Sequence, residues 1–166
     1  MSALHAVVAF ILLARLVELG LAARNTRRLL GRGGYEVGAR HYPLFFILHG
    51  GWLVALLATV DSATPAELPF LGGFLLLQPV RVWIIASLGE RWTTRVIVVP
   101  GAPLVRKGPY RYLRHPNYLV VACEIALVPL TFGAWEIAAL FSVLNLALLR
   151  HRIRVEEAAL AAARPG

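Results

Sequence analysis

Apolar runs of bilayer-spanning length alternate with arginine clusters along this chain, and that alternation restricts the fold more than any other feature. The runs cover about 2–23, 42–60, 68–88, 118–130 and 135–149. A helix needs about 20 apolar residues to cross the hydrocarbon core, and within lipid every backbone donor and acceptor must be satisfied internally. The first three runs meet that length. The last two are shorter and join at Thr131-Phe132-Gly133, which reads as a turn. They are expected to form a helical hairpin, tilted or ending short of the far leaflet. Charged residues make up 16% of the chain and hydrophobic ones 58%, against about 25% charged in soluble domains. The expected fold is all-α and integral to the membrane, with five transmembrane helices in one domain over residues 1–166. Arg15 and Glu18 interrupt the first run and no basic leader precedes it, which argues against a cleaved signal peptide.

The cations define an orientation. Arg24, Arg27, Arg28, Arg32 and Arg40 follow the first run; Arg91, Arg95, Arg106, Lys107, Arg111 and Arg114 follow the third; Arg150, Arg152, Arg154 and Arg164 follow the fifth. The two remaining loops hold only Asp61, Glu67 and Glu136. The positive-inside rule then places the N-terminus outside and the C-terminus in the cytoplasm. The net charge of +8 is accounted for by these span ends rather than by a nucleic-acid surface. The lone Cys123 allows no disulfide or cysteine zinc site, and His41 and His49 do not make a metal site. No GxGxxG or Walker-type loop occurs, and Gly31-Arg32-Gly33-Gly34 reads as a flexible turn rather than a phosphate cradle.

The densest chemistry lies in Gly108–Leu119, GPYRYLRHPNYL, just before the fourth run. Pro116 suits the first turn of a helix, where its missing N–H costs nothing. The free N–H groups and positive dipole end near Asn117 favour an anion, with Arg114 and His115 beside them. Tyr110, Tyr112 and Tyr118 can stack on a ring or donate from their hydroxyls. The alternative is an interfacial aromatic and cationic belt, which needs neither Gly-Pro nor His-Pro-Asn. A charged small molecule held at the membrane surface fits better.

A second cluster is Arg152-Ile153-Arg154-Val155-Glu156-Glu157. If the fifth helix continues past Leu149, Arg152 and Glu156 share a face at i,i+4 and Arg154 pairs with Glu157 at i,i+3. Within the runs, Arg15 and Glu18 are spaced to neutralise each other, as are Gln78 and Arg81 to share a face. His49, Glu124 and Asn145 are single polar residues in the later runs, and intramembrane ionisable groups face protein or a cavity. Glu124 either lines the substrate cavity or satisfies Arg15 or Arg81; the sequence leaves both open. The stretch RVIVVPGAPLV at 95–105 is too short to span and is expected to lie extended against the bundle.

With these residues in view, the chain resembles the isoprenylcysteine carboxyl methyltransferase family of integral membrane enzymes. The resemblance rests on GPYRYLRHPNY at 108–118, the apolar hairpin, RIRVEE at 152–157 and LGERW at 88–92. Residues 23–50 are similar to a short bacterial branch associated with methylating polyketide-derived alkylpyrones. The resemblance implies S-adenosylmethionine as cofactor, in a cytoplasmic pocket contributed by Val105, Gly108, Pro109, Tyr110, Arg114, His115, Asn117, Tyr118 and Glu157. Arg152 and Glu156 are the expected catalytic residues for such a transfer, and Glu124 is the candidate for the substrate cavity if it does not satisfy Arg15 or Arg81. The resemblance further implies a lipophilic methyl acceptor reaching the site from membrane lipid, no metal and no nucleic acid, in a bacterial inner membrane. Three rival readings are a phospholipid amine N-methyltransferase, an NADPH-dependent membrane reductase of sterol-reductase type, and a non-enzymatic lipid-binding protein.

Overall fold

A computed structural model describes residues 2–163. Five helices carry the fold: α1 (Ala3–Gly31), α2 (Tyr42–Thr59), α3 (Leu68–Leu88), α4 (Pro116–Leu130) and α5 (Trp135–Ala162). Two three-residue strands, β1 (Tyr35–Val37) and β2 (Val96–Val98), pair antiparallel with Glu36 opposite Ile97. Among the described residues the structure is thus all-α but for this one ladder.

Three of the helices, α1, α2 with its preceding turn, and α3, are long and apolar enough to cross a membrane. Leu13, Leu16 and Val17 of α1, Ile47 and Val54 of α2, and Leu76 and Val82 of α3 remain exposed. In water such faces would drive association; facing lipid, they are at rest. α4 has 15 residues, so it rises only roughly 22 Å, less than the hydrocarbon thickness. α5 has 28 residues and packs back along α4; Thr131–Gly133 closes the hairpin as the sequence suggests. The helix does continue past Leu149, so Arg152–Glu157 are helical.

α1 outruns its apolar stretch by two turns and stops at Gly31. Gly33 takes φ +82°, and the Gly34 N–H returns 3.0 Å to the Leu29 carbonyl, a glycine-based helix cap. A Cβ on Gly34 would lie 2.7 Å from that carbonyl. The glycine run is therefore a tight reversal rather than a loose one, and it delivers the chain directly into β1. The 95–105 stretch is extended through β2, which pairs with β1 and packs against α1 and α5.

The apolar core sits at the end of the bundle away from the arginine-rich loops. Leu4, Val8 and Ile11 of α1 meet Trp52, Leu53 and Leu56 of α2, Phe74 of α3, and Ile125, Val128 and Phe132 of the α4–α5 hairpin. Moving toward the arginine side, a charge cluster replaces this core. Arg81 donates to both Glu18 oxygens at 2.5 and 2.7 Å and to Glu124 at 3.0 Å. Arg15 lies 2.9 Å from Glu18 and 3.6 Å from Glu124, and Gln78 donates to Glu124 at 3.1 Å. Two guanidiniums and two carboxylates sum to zero charge, the condition under which ions are tolerated at membrane depth. Glu124 thus satisfies both Arg81 and Arg15. It also borders a small cavity of about 30 Å³ with Arg15, His49 and Trp52, room for about one water.

Candidate active site at the start of α4 and the end of α5

The segment before α4 is shaped by glycine and proline. Gly108 takes φ +54°, and a Cβ there would fall 2.1 Å from the Ser87 hydroxyl and 3.1 Å from Trp83 Nε1. Only glycine lets this backbone lie on the end of α3. Pro109 is buried behind it, and a single turn of 3-10 helix over Gly108–Arg111 follows. This packing explains Gly108 and Pro109 without any ligand: they aim Tyr110. Pro116 opens α4 at its first turn, as the sequence indicates.

Tyr118 is the centre of the arrangement. Its hydroxyl donates to the Glu156 carboxylate and accepts from Arg152 Nε at 2.8 Å. The motif before α4 and the motif on α5, separated by more than 30 residues, therefore meet in one oxygen atom. The Tyr118–Glu156 contact is direct and leaves no gap between those two groups. His115 stacks on the Tyr118 ring, centroids 5.4 Å apart at 17°. Tyr110 lies close enough that burial and, next, the Glu156 carboxylate push its phenol above the ordinary range; it stays a hydroxyl at neutral pH.

Arg152 is only 7% exposed. Its Nη2 donates 2.6 Å to the Thr94 carbonyl, and its guanidinium lies 5.2 Å from the Phe45 ring and 5.6 Å from the Tyr118 ring. No carboxylate lies within ion-pair distance of it among the described residues. The neighbouring His41 is buried against His151, with ring centroids 5.1 Å apart. Thr94 is in turn held by its hydroxyl to Tyr42 at 2.8 Å.

One expected pairing is replaced. Glu157 lies 3.4 Å from Arg114 and 3.3 Å from His115, while Arg154 makes no ion pair among the described residues. An i,i+3 contact on an exposed helix stabilises by only about 0.2–0.5 kcal/mol, so a loop packed across α5 takes Glu157 instead. Asn117 is half-buried, and its Oδ1 has no hydrogen-bond partner among the described residues. Val105 is half-buried in the extended stretch before Gly108. Glu124 lies two turns deeper on α4, in the charge cluster rather than with Arg152 and Glu156.

Sequence reading missed Thr94, Tyr42, Phe45 and His41. Thr94 contributes through its backbone, which leaves no side-chain signature. His41-Tyr42-Pro43 opens α2 much as His115-Pro116-Asn117-Tyr118 opens α4, and that likeness was the available signal.

Fold and site together define a helical membrane protein with an arginine–tyrosine–glutamate cluster where its helices leave the apolar layer. A sequence profile of the isoprenylcysteine carboxyl methyltransferase family matches residues 70–162, and the chain belongs to that family. The family is one of membrane methyltransferases that use S-adenosylmethionine. Across 157 residues, the chain is 39% identical to the uncharacterized protein YpbQ of Bacillus subtilis, covering 92% of this chain and 94% of that one. It is 27% identical over 160 residues to an uncharacterized protein of Haemophilus influenzae, covering 92% of this chain and 91% of that one. No solved structure matches. The match gives no support to the amine-methylating or reductase readings.

Proposed function

We propose that this chain transfers a methyl group from S-adenosylmethionine to an oxygen, carboxylate or acidic hydroxyl, of a lipophilic molecule at the cytoplasmic face of a bacterial inner membrane. In this reading the single domain has five spans, N-terminus outside and C-terminus inside, with α4 and α5 as the shallow hairpin. An acidic enol with an alkyl tail is the acceptor favoured, on the sequence resemblance of residues 23–50 alone, since the family match begins at residue 70. The observation that carries the reading is the Tyr118 hydroxyl shared between Arg152 and Glu156.

The residues fit the donor. The unpartnered Asn117 Oδ1 is an acceptor awaiting an N–H or O–H. Arg114, His115 and the α4 N-terminus offer N–H donors to its carboxylate in place of Glu157, and Glu157, so released, offers an acceptor to ribose or ammonium. Tyr110, Tyr118 and Val105 supply aromatic and aliphatic walls, and Gly108 and Pro109 fix the turn that carries them. When bound, S-adenosylmethionine supplies an already activated methyl group, so positioning provides most of the remaining catalysis.

Arg152 then orients the acceptor oxygen. Its guanidinium is not neutralised by a contacting carboxylate, so its field remains available to an anion. Tyr118 holds its Nε, Thr94 holds its Nη2, and the guanidinium lies near the Phe45 and Tyr118 rings. Glu156, through Tyr118, provides the acceptor for a proton when the substrate arrives as a neutral hydroxyl. The step balances with the pair intact: Tyr118 passes its own hydroxyl proton to Glu156 as its oxygen takes the proton of the substrate. The test is to titrate purified protein with S-adenosylmethionine by calorimetry, then follow labelled methyl into lipid extracts. Methyl esters or ethers are expected. His115→Ala should weaken donor binding several-fold; full donor binding by that variant, or label confined to amines, refutes the assignment.

A further inference from the structure

A second cavity opens beside Tyr42 and Thr94. It is a cleft of about 560 Å³ lined by Leu19, Ala23, Thr26 and Arg27 of α1, Tyr42 of α2, and Thr94 and Arg95 before β2. Positions 19, 23, 26 and 27 form one stripe along α1. The stripe changes character along its length: Leu19 and Ala23 are apolar, while Thr26 and Arg27 carry donors. The change falls where the apolar run of α1 ends and its arginines begin, which is the lipid–water boundary.

The charges around the cleft are unequal. Arg95 donates to both oxygens of Glu36 at 2.9 Å and stacks 4.5 Å over the Tyr42 ring. Arg28 and Arg32 share Glu90. Arg27 is exposed and has no ion pair among the described residues. The mouth of the cleft therefore holds one uncompensated guanidinium, with the Thr26 hydroxyl one residue away and an apolar wall above.

We propose that this cleft binds one anionic phospholipid of the leaflet that the arginines face. An acyl chain lies against Leu19 and Ala23, and the phosphate accepts from Arg27 and from Thr26. A guanidinium matches a phosphodiester in a fork that a point charge cannot. The volume is on the scale of a ligand site, roughly 300–1,000 Å³, enough for a head group and the first part of a chain. A free anion would leave the Leu19–Ala23 half of the cleft unused. The site stands whether or not the protein transfers methyl groups.

The test uses the purified full chain in neutral detergent, incubated with dioleoylphosphatidylglycerol or dioleoylphosphatidylcholine and examined by native mass spectrometry. One phosphatidylglycerol per chain is expected to be retained over phosphatidylcholine by roughly fivefold, the ratio set by about 1 kcal/mol per arginine at a membrane surface. Arg27→Gln should remove the preference, and Ala23→Trp should lower retention of both lipids. Both positions are exposed, so an unchanged elution volume and melting temperature accompany the effect. A preference that survives Arg27→Gln overturns the proposal, as does undiminished retention in Ala23→Trp. Displacement of the lipid by millimolar inorganic phosphate would show a plain anion site and would overturn it too.

Discussion

Arginine and glutamate are gathered twice around α4, at Glu124 and about two helical turns nearer the arginine side at Tyr118, with opposite results. In the deeper cluster, Arg81 and Arg15 contact Glu18 and Glu124 directly, and the charges cancel. At the boundary, Arg152 and Glu156 are kept apart by the Tyr118 hydroxyl. Arg152 is partnered by a hydroxyl, a carbonyl and two ring faces, none of which carries a formal negative charge. The same two residue types thus serve as a neutral tie between α1, α3 and α4 in one place and as a poised pair in the other. Direct contact consumes charge; a hydroxyl in between keeps it available.

The largest effect should come from breaking the tie. Arg81→Met leaves Glu18 and Glu124 facing one guanidinium at membrane depth. Removing one partner of a buried ionic cluster costs about 3–5 kcal/mol. Detergent-purified protein should show a much lower melting temperature and loss of monodisperse material. The double variant Arg81→Met with Glu124→Gln, which restores balance, should recover most of that loss. A single variant as stable as the parent would mean the cluster is not a tie.

The poised pair should behave in the reverse way. Arg152→Lys keeps the charge but loses the fork that spans Tyr118 and Thr94. Turnover should fall roughly 100-fold, the scale for removing one preorganised electrostatic contact. Donor affinity should change little and the melting temperature much less than in Arg81→Met. Tyr118→Phe removes only the intervening hydroxyl and should lower turnover by about 10-fold or more, the scale of one hydrogen bond to a charged group. Comparing kcat with donor Kd separates these outcomes. If Tyr118→Phe turns over normally, Arg152 and Glu156 act without their bridge.

How far the sequence revealed each cluster follows from what fixes it. The first three spans, the α4–α5 turn and the Pro116 start were legible because lipid and backbone geometry act on local composition. The Arg15–Glu18 pair was legible from its i,i+3 spacing. Glu124 was offered to Arg15 or Arg81 as one of two readings, and its joining both, with Arg81 also on Glu18, did not show, because α3 and α4 are brought to α1 by tertiary packing. At the boundary, Tyr118, Arg152 and Glu156 stood out by residue type. The choice of Glu157 for Arg114 and His115 over Arg154 did not, since a weak local pair lost to a packed loop. The β1–β2 ladder went half unseen because three residues give no periodicity to read.

A third arginine–glutamate contact sets the baseline for the other two. Glu90 receives Arg28 and Arg32, each at 2.9 Å, with all three side chains about half exposed. Its pKa is lowered from 4.5, first by the Arg32 hydrogen bond and charge and then by Arg28. A carboxylate whose folded pKa is depressed stabilises the fold above its unfolded pKa, and loses that contribution as pH falls through the folded value. Solvent screening makes exposed pairs weak, so Glu90→Gln should give the smallest shift in melting temperature of all these variants at neutral pH. That shift should vanish in acid below the ordinary glutamate range and shrink at high salt. The Arg81→Met deficit should instead persist at high salt, because its cluster is shielded from solvent ions. A Glu90→Gln effect as large and as salt-independent as that of Arg81→Met would erase the distinction between depth and surface on which the contrast of the two clusters rests.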